Sequence, residues 1–147
     1  MGIYDREYYG SEPPSGIQMA GQWSMVNKLV AANVAIYILD VLLGGNHWLI
    51  RSMMTTPQTV TEPWMWWQFL TYGFAHSPTQ PAHIFWNMFG LWMFGRDVET
   101  VYGSKEILRI YLVTVVLGGI VWGLRGVLFV NQAQWGALVG ASGAVTA

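Results

Sequence analysis

Apolar residues form long runs along this chain, and most polar residues lie between the runs. The first run reads MVNKLVAANVAIYILDVLL and is followed by the turn-forming pair Gly44–Gly45. A helix that spans a bilayer needs ~20 mostly apolar residues, so the sequence predicts a transmembrane helix over about 25–43. Asn27 and Asn33 lie inside this run. Because an unpaired amide is costly in lipid, we expect both side chains to face other helices.

Three later runs predict further membrane helices. The run at 82–94 is short but extends to Arg96, which gives a span over about 80–96. The uncharged run at 110–124, with an arginine at each flank, gives a span over about 107–128. The segment GALVGASGAVTA at the end of the sequence predicts the start of a fourth span near 138. The predicted fold is all-α, a polytopic transmembrane helix bundle with three complete spans and the start of a fourth.

The connections between the runs predict the orientation in the membrane. Residues 1–24 contain turn formers and charges without an apolar core, which predicts a short cytoplasmic tail and no signal peptide. With the N-terminus inside, most Lys and Arg residues fall on the cytoplasmic side, as is usual. The long segment 44–80 is then an external loop. Its aromatic residues suggest that part of it lies on or dips into the outer leaflet: Trp64, Trp66, Trp67, Phe69 and Tyr72. The short tail favours a multi-pass protein of a bacterial inner membrane over an organellar one.

Composition supports a membrane protein and excludes several functions. Hydrophobic residues make up 53% of the chain and charged residues 10%, against about a quarter charged in soluble domains. The net charge of −1 offers no basic surface for nucleic acid. The absence of cysteine excludes disulfides, thiolate metal sites and a cysteine nucleophile. The sequence predicts no metal and no cofactor.

Polar residues within predicted spans are candidates for function. His83 and Asn87 have i, i+4 spacing, which places both side chains on one face of the second span. Two donors aimed at one point could stabilise negative charge that develops on an oxygen. The alternative is a hydrogen-bonding pair that only joins helices.

The second candidate is Gly140-Ala141-Ser142-Gly143 at the predicted start of the fourth helix. Free backbone N–H groups at a helix start can hold an anion, so a serine there could be a nucleophile beside its own oxyanion site. The alternative is close helix packing. Gly136-x-x-x-Gly140 fits the small-x-x-x-small pattern, as does Gly119-x-x-x-Gly123 in the third span.

Together these motifs resemble those of the rhomboid family of intramembrane serine proteases over residues 25–147. The resemblance rests on an ordered series of segments: Trp67-Gln68-Phe69-Leu70-Thr71-Tyr72, Phe74-Ala75-His76, His83-x-x-x-Asn87, a turn with Gly95-Arg96-Asp97-Val98-Glu99, Gly103 and Gly140-Ala141-Ser142-Gly143. It implies a six-span fold that accommodates single-span transmembrane protein substrates in the lipid bilayer and cleaves them near the outer face.

The resemblance also implies roles for individual residues. Ser142 matches the nucleophile, and His83 and Asn87 match the oxyanion-stabilising pair, with Gly140 and the backbone around Ser142 completing the site. Glu99 matches an acidic residue that structures the cytoplasmic turn, and Gln68 a residue of the first loop. His76 stands in the place of an upstream histidine. It lies seven positions before His83, more than the family's usual gap, which indicates a small insertion over 77–82 and leaves its role open.

One element of the family is not found in the sequence. Rhomboids use a catalytic histidine on the sixth span, and none of the three histidines, His47, His76 and His83, matches it. A serine without a base is a poor nucleophile at neutral pH. We therefore expect this chain to be the front part of a protease, cut after its nucleophile and inactive alone. The alternatives are a rhomboid-like pseudoprotease or membrane chaperone that binds transmembrane helices without cleavage, and a structural or carrier subunit whose polar residues serve packing.

Overall fold

The computed structural model describes residues 23–129 and 137–141 and is helical through most of these ranges. Six α-helices follow one another, with two 3₁₀ turns at Pro63–Met65 and Tyr72–Phe74. The helices are α1 (Met25–Leu43), α2 (Trp48–Met53), α3 (Pro57–Thr61), α4 (Gln68–Thr71), α5 (Pro81–Tyr102) and α6 (Ser104–Phe129). The predicted all-α fold is confirmed for this part of the chain, whose one extended pairing joins Thr55 and Leu138.

Three long helices form the body of the molecule. Helix α1 packs against α5 and α6, and α5 packs against α6. The core between them contains Leu29 of α1, Met88 and Leu91 of α5, and Tyr111 and Val115 of α6. Outward-facing positions are also apolar, such as Leu42, Trp86 and Val121. An apolar surface on both sides of a helix is expected where lipid replaces water.

Two of the described helices are long and apolar enough to cross a membrane, Met25–Leu43 and Ser104–Leu128. Helix α1 has the predicted bounds. Helix α6 covers the predicted 107–128 and begins three residues earlier. Helix α5 has 22 residues, which at ~1.5 Å per residue would cross the ~30 Å hydrocarbon core. It also carries the charged residues Arg96, Asp97 and Glu99, which lower its hydropathy.

The predicted turn at residues 95–99 is wrong, because this segment is helical and α5 continues to Tyr102. The turn is at Gly103, whose φ of +89° is readily accessible only to glycine. The charged side chains did not mark the helix end because one of them has a structural partner. Glu99 accepts the N–H groups of Met25 and Val26 at 2.7 and 3.0 Å and the hydroxyl of Ser104 at 2.6 Å. It thus joins the start of α1, the end of α5 and the start of α6.

The connection between α1 and α5 is folded around the buried amide of Gln68. Its Oε1 accepts the hydroxyl of Thr59, and its Nε2 donates to the carbonyl of Ser52 at 2.8 Å. The main-chain carbonyl of Gln68 accepts a hydrogen bond from the hydroxyl of Thr55 at 2.9 Å. Gln68 therefore ties three other parts of the connection together, two through its side chain and one through its main chain. The sequence pattern did not predict α2, α3 and α4, since each is too short to show a helical period.

The small residues of α6 face this connection. A Cβ added to Gly119 would lie 2.9 Å from Cε1 of Tyr72 and 3.1 Å from Cδ1 of Phe69, and one added to Gly123 would lie 2.8 Å from Cγ2 of Val60. The Gly119-x-x-x-Gly123 pattern therefore accommodates loop side chains, not a neighbouring helix.

The two asparagines of α1 have different environments. Asn33 is 0% exposed, and its amide donates to the carbonyl of Leu29 at 2.8 Å and to the hydroxyl of Tyr111 on α6 at 3.3 Å. The expectation that it faces another helix is confirmed. The same expectation for Asn27 is wrong, because it is exposed in the first turn of α1, where its N–H donates to the capping hydroxyl of Ser24.

The described residues at the predicted start of the fourth helix, 137–141, are not helical. Leu138 forms an antiparallel bridge with Thr55 through bonds of 3.2 and 2.9 Å, and the N–H of Gly140 donates to the carbonyl of Tyr72 at 3.0 Å. These backbone groups bind the α1–α5 connection, so residues 137–141 are extended and then turn. Residues 1–22 of the predicted tail at 1–24 and the residues from Ser142 onwards lie outside the described residues.

Candidate functional site

The structure brings three of the four predicted site residues into contact. His83 and Asn87 lie one turn apart near the start of α5, which begins with Pro81. Gly140 packs directly against both. A Cβ added to Gly140 would lie 2.7 Å from Cε1 and 3.0 Å from Nε2 of His83, and 3.3 Å from Nδ2 of Asn87. The backbone at Gly140 has a φ of +102°. Only glycine meets both the steric and the conformational requirement.

The backbone at Gly140 is held by the connection between α1 and α5. The Tyr72 carbonyl accepts the Gly140 N–H, while the Tyr72 hydroxyl donates to the carbonyl of Val115 in α6 at 2.7 Å. Two residues earlier, Leu138 is paired with Thr55, whose hydroxyl is fixed by Gln68. The loop therefore links α6 to the segment that faces His83.

The amide of Asn87 is a buried donor. Asn87 is 6% exposed, and its Nδ2 has no hydrogen-bond acceptor within the described ranges. An unpaired buried donor costs about 1–3 kcal/mol, so packing among the described residues gives no reason to place one here. It lies on the same helix face as the half-buried imidazole of His83. Two side-chain donors can thus act on an oxygen beside Gly140.

A second histidine, His76, lies beside His83, although it was not among the predicted site residues. It is 0% exposed, its ring centroid is 5.5 Å from that of His83, and its Nε2 accepts the N–H of Ala141 at 3.4 Å. Burial lowers the pKa of His76 to about 4. The Phe74 carbonyl opposes the shift and the nearby His83 adds to it. His76 is therefore neutral at physiological pH. The segment Phe74-Ala75-His76 indicated that His76 could belong to the site. The contact with His83 was not predicted, because the two histidines are seven positions apart in the sequence.

The remaining histidine is elsewhere. His47 follows the end of α1, and its Nδ1 lies 2.8 Å from Oδ2 of the buried Asp40. The other carboxylate oxygen of Asp40 accepts the N–H of Ile50 at 3.1 Å. His47 and Asp40 therefore fasten α2 to the end of α1.

Ser142, the predicted nucleophile, lies outside the described residues. It is bonded to Ala141, which is 0% exposed and in contact with His76. In the part of the chain that the structure describes, no group of three or more His, Cys, Asp or Glu residues is arranged to hold a metal ion.

Known proteins are similar to this chain over more than half of its length. The model of the rhomboid domain matches residues 63–147, which is more than half of the chain. Rhomboid-like protein 16, chloroplastic, of Arabidopsis thaliana is 27% identical over 130 residues, covering 77% of this chain and 39% of that protein. Rhomboid protease GlpG of Yersinia pestis (strain Pestoides F) is 28% identical over 107 residues, covering 73% of this chain and 35% of that protein.

The chain thus spans 35–39% of the length of these curated relatives. No solved structure shows significant similarity to it. The family match includes the whole site, from the Trp67–Gln68 pair through His83 and Asn87 to Gly140. The chain belongs to the rhomboid family and is a helical membrane protein.

Proposed function

We propose that this chain carries the nucleophile and the oxyanion-binding groups of an intramembrane serine endopeptidase that cleaves single-span transmembrane proteins. The observation that carries the proposal is the contact of Gly140 with His83 and Asn87. Residues more than 50 positions apart in the chain meet at a buried donor without an acceptor in the described residues. The relatives include a protein named as a rhomboid protease.

The chemistry follows from the arrangement of these groups. The Ser142 hydroxyl would attack a substrate carbonyl while a base removes its proton, and the carbonyl oxygen would become an oxyanion. Donation from His83, Asn87 and backbone N–H groups near Gly140 would stabilise that charge. Expulsion of the amine with the transferred proton would leave an acyl-serine. Water would then hydrolyse this ester and restore the serine.

The proposed orientation has a cytoplasmic N-terminus. The Glu99 end of α5 would face the cytoplasm, and the His83 end, with the folded connection of residues 44–80, the outer side. The apolar side chains around the bundle support contact with lipid. The site lies on the outer half of the bundle, so a transmembrane substrate would present its outer end. An inner bacterial membrane is the proposed location.

We also propose that the catalytic base belongs to a part of the protease beyond these residues, so that the 147-residue chain does not cleave by itself. His47 is engaged with Asp40, and Nε2 of His76 is occupied by a backbone N–H. His83 would donate to the oxyanion. These engagements support a supplied base over one of the three histidines.

The second candidate is a rhomboid-like pseudoprotease or membrane chaperone that binds transmembrane helices. An apolar groove of about 450 Å³ between α1 and α5, lined by residues such as Tyr37, Ile84 and Phe89, supports helix binding. Helix binding does not explain the glycine against His83 or the buried Asn87 amide, which has no acceptor among the described residues. These features favour the protease.

The two functions are separated by cleavage of a model transmembrane substrate in liposomes. The test uses the full-length gene product and its Ser142→Ala variant. The protease requires substrate loss that depends on Ser142. Binding of the substrate with equal, undetectable cleavage by both proteins would instead establish the chaperone.

A further inference from the structure

We infer that His76 is a positioning residue of the proposed protease: its Nε2 accepts the N–H of Ala141 and so fixes the backbone that leads into Ser142. The inference rests on the proposed function and names a residue of the same site. It assigns His76 no part in proton transfer, because the accepting lone pair is directed at the backbone.

Both partners of this hydrogen bond are buried. His76 and Ala141 are each 0% exposed, so water cannot replace the bond between them. The Ala141 N–H meets Nε2 at 3.4 Å, which is long for a hydrogen bond. A small displacement of the 137–141 segment would therefore break it. The bond is sensitive to the position of the peptide directly before the nucleophile.

The other hydrogen bonds that hold the 137–141 segment go to main-chain acceptors. The N–H groups of Leu138 and Gly140 donate to the backbone carbonyls of Thr55 and Tyr72. Those acceptors belong to the main chain and are independent of side-chain identity. In the described part of the segment, His76 is the side chain that anchors the peptide nearest to Ser142. Its identity can thus control the geometry of the nucleophile.

The hydrogen bond from Ala141 requires one particular tautomer of His76. A neutral imidazole accepts at one nitrogen and carries its proton on the other. Acceptance at Nε2 places the proton on Nδ1, and the interaction with the Phe74 carbonyl favours that form. Nδ1 is buried and has no regular hydrogen bond to the described residues. The surroundings of His76 therefore favour a neutral ring in one tautomer.

The test compares side chains that place an acceptor at different points. In His76→Gln, the amide Oε1 comes close to the place of Nε2. In His76→Asn, Oδ1 comes close to the place of Nδ1, and His76→Leu has no acceptor. We expect the full-length Gln variant to keep kcat within about threefold of the wild type. The Asn and Leu variants should lose about 10²-fold in kcat, as misplaced reacting groups do, with little change in KM.

Ser142→Ala distinguishes failure of this inference from failure of the protease. If Ser142→Ala cleaves like the wild type, the proposed function is wrong. If Ser142→Ala is inactive but the Asn and Leu variants keep wild-type kcat, the protease stands and the positioning role is overturned. Equal loss of kcat in the Gln and Asn variants would also overturn it.

A spectroscopic measurement on the unsubstituted protein guards against variants that do not fold. The ¹⁵N NMR shifts of His76 at neutral pH report which ring nitrogen carries the proton. We expect a protonated Nδ1 and an unprotonated Nε2. Protonation of Nε2 would contradict the inference, since that atom could no longer accept from Ala141.

Discussion

Gly140 lies against the imidazole of His83 so closely that a single added carbon would be 2.7 Å from the His83 Cε1 atom. This contact joins the extended segment before Ser142 to the first turns of α5. The same added carbon would lie 3.3 Å from Nδ2 of Asn87, so the segment is also close to that amide. The proposed oxyanion site requires this contact between backbone and side-chain donors.

The Gly140→Ala substitution should inactivate the full-length enzyme. The new methyl group would collide with His83, and the φ of +102° would become strained. We expect kcat/KM to fall by about 10²-fold or more through loss of the oxyanion geometry. Cleavage of a transmembrane model substrate measures it.

The matched control is Gly103→Ala. Gly103 also has a positive φ of +89°, but a Cβ there meets nothing within 4 Å. This variant should lose about 1 kcal/mol of stability from backbone strain while its kcat stays within about twofold. Equal effects of both substitutions on kcat would mean that strain, and not the contact with His83, explains the loss.

Asn87→Leu should separate chemistry from stability. Nδ2 of Asn87 is buried without an acceptor in the residues that the structure describes, so its removal breaks no hydrogen bond among them. We expect kcat to fall by about 10²-fold and the thermal midpoint to stay level or rise. Parallel assays of cleavage and of thermal unfolding in detergent give both values.

Asn33→Leu is the comparison for that result. The amide of Asn33 joins Leu29 and Tyr111, and its loss should lower the thermal midpoint. The remaining folded enzyme should still cleave. If Asn87→Leu instead lowered the midpoint and left kcat intact, His83 and Asn87 would be packing residues, as in a structural subunit.

Glu99→Gln should weaken the bundle at the end opposite the site. Partial burial opposes ionisation of Glu99, but the hydrogen bonds from Ser104, Val26 and Met25 outweigh it, so the pKa lies below its ordinary 4.5. We expect a loss of about 1.5–3 kcal/mol, typical of hydrogen bonds to a charged group. The free energy of unfolding in a denaturant series measures it. Glu106→Gln is the control, because the exposed Glu106–Arg109 pair should contribute under about 1 kcal/mol.

The pH dependence of this contribution has a definite sign. A lowered folded-state pKa stabilises the protein above pH 4.5, and the stabilisation is lost as the pH falls through the folded-state pKa. The stability difference between wild type and Glu99→Gln should therefore shrink below pH 4.5. A difference that stays constant down to pH 3 would show that the charge of Glu99 is not involved.

Gly119→Ala should loosen the folded connection from α6. The added methyl group would lie 2.9 Å from the ring of Tyr72 and 3.1 Å from that of Phe69, and overpacking costs about 1–3 kcal/mol. Since Tyr72 also holds Gly140, cleavage should fall as well. The outward-facing Val121 supplies the control, since Val121→Ala should change neither stability nor rate appreciably. An unaltered thermal midpoint for Gly119→Ala would contradict the packing of this loop.

The sequence predicted those parts of the molecule that depend on long local patterns. The bounds of α1 and the shared face of His83 and Asn87 follow from apolar length and helical spacing. Helix α5 exceeded its predicted end because Glu99 has partners on α1 and α6. Met25 lies 74 positions from Glu99 along the chain, and Ser104 lies five positions away. A local sequence pattern cannot contain the contact with Met25.

Other features depended on contacts between distant segments. The pairing of Leu138 with Thr55 keeps residues 137–141 out of a helix, although small apolar residues there fit one. His76 lies 65 positions from Ala141, so its place in the site required the folded loop. Gly119 and Gly123 showed a helix-packing pattern, but loop side chains occupy that surface. In each case the local residues permitted two structures, and tertiary packing selected one.

The most direct measurement is cleavage of a model transmembrane substrate in liposomes by the full-length gene product, with Ser142→Ala beside it. We expect cleavage by the wild type and a loss of about 10⁴-fold or more on removal of the Ser142 hydroxyl. Undiminished cleavage by Ser142→Ala would contradict this expectation.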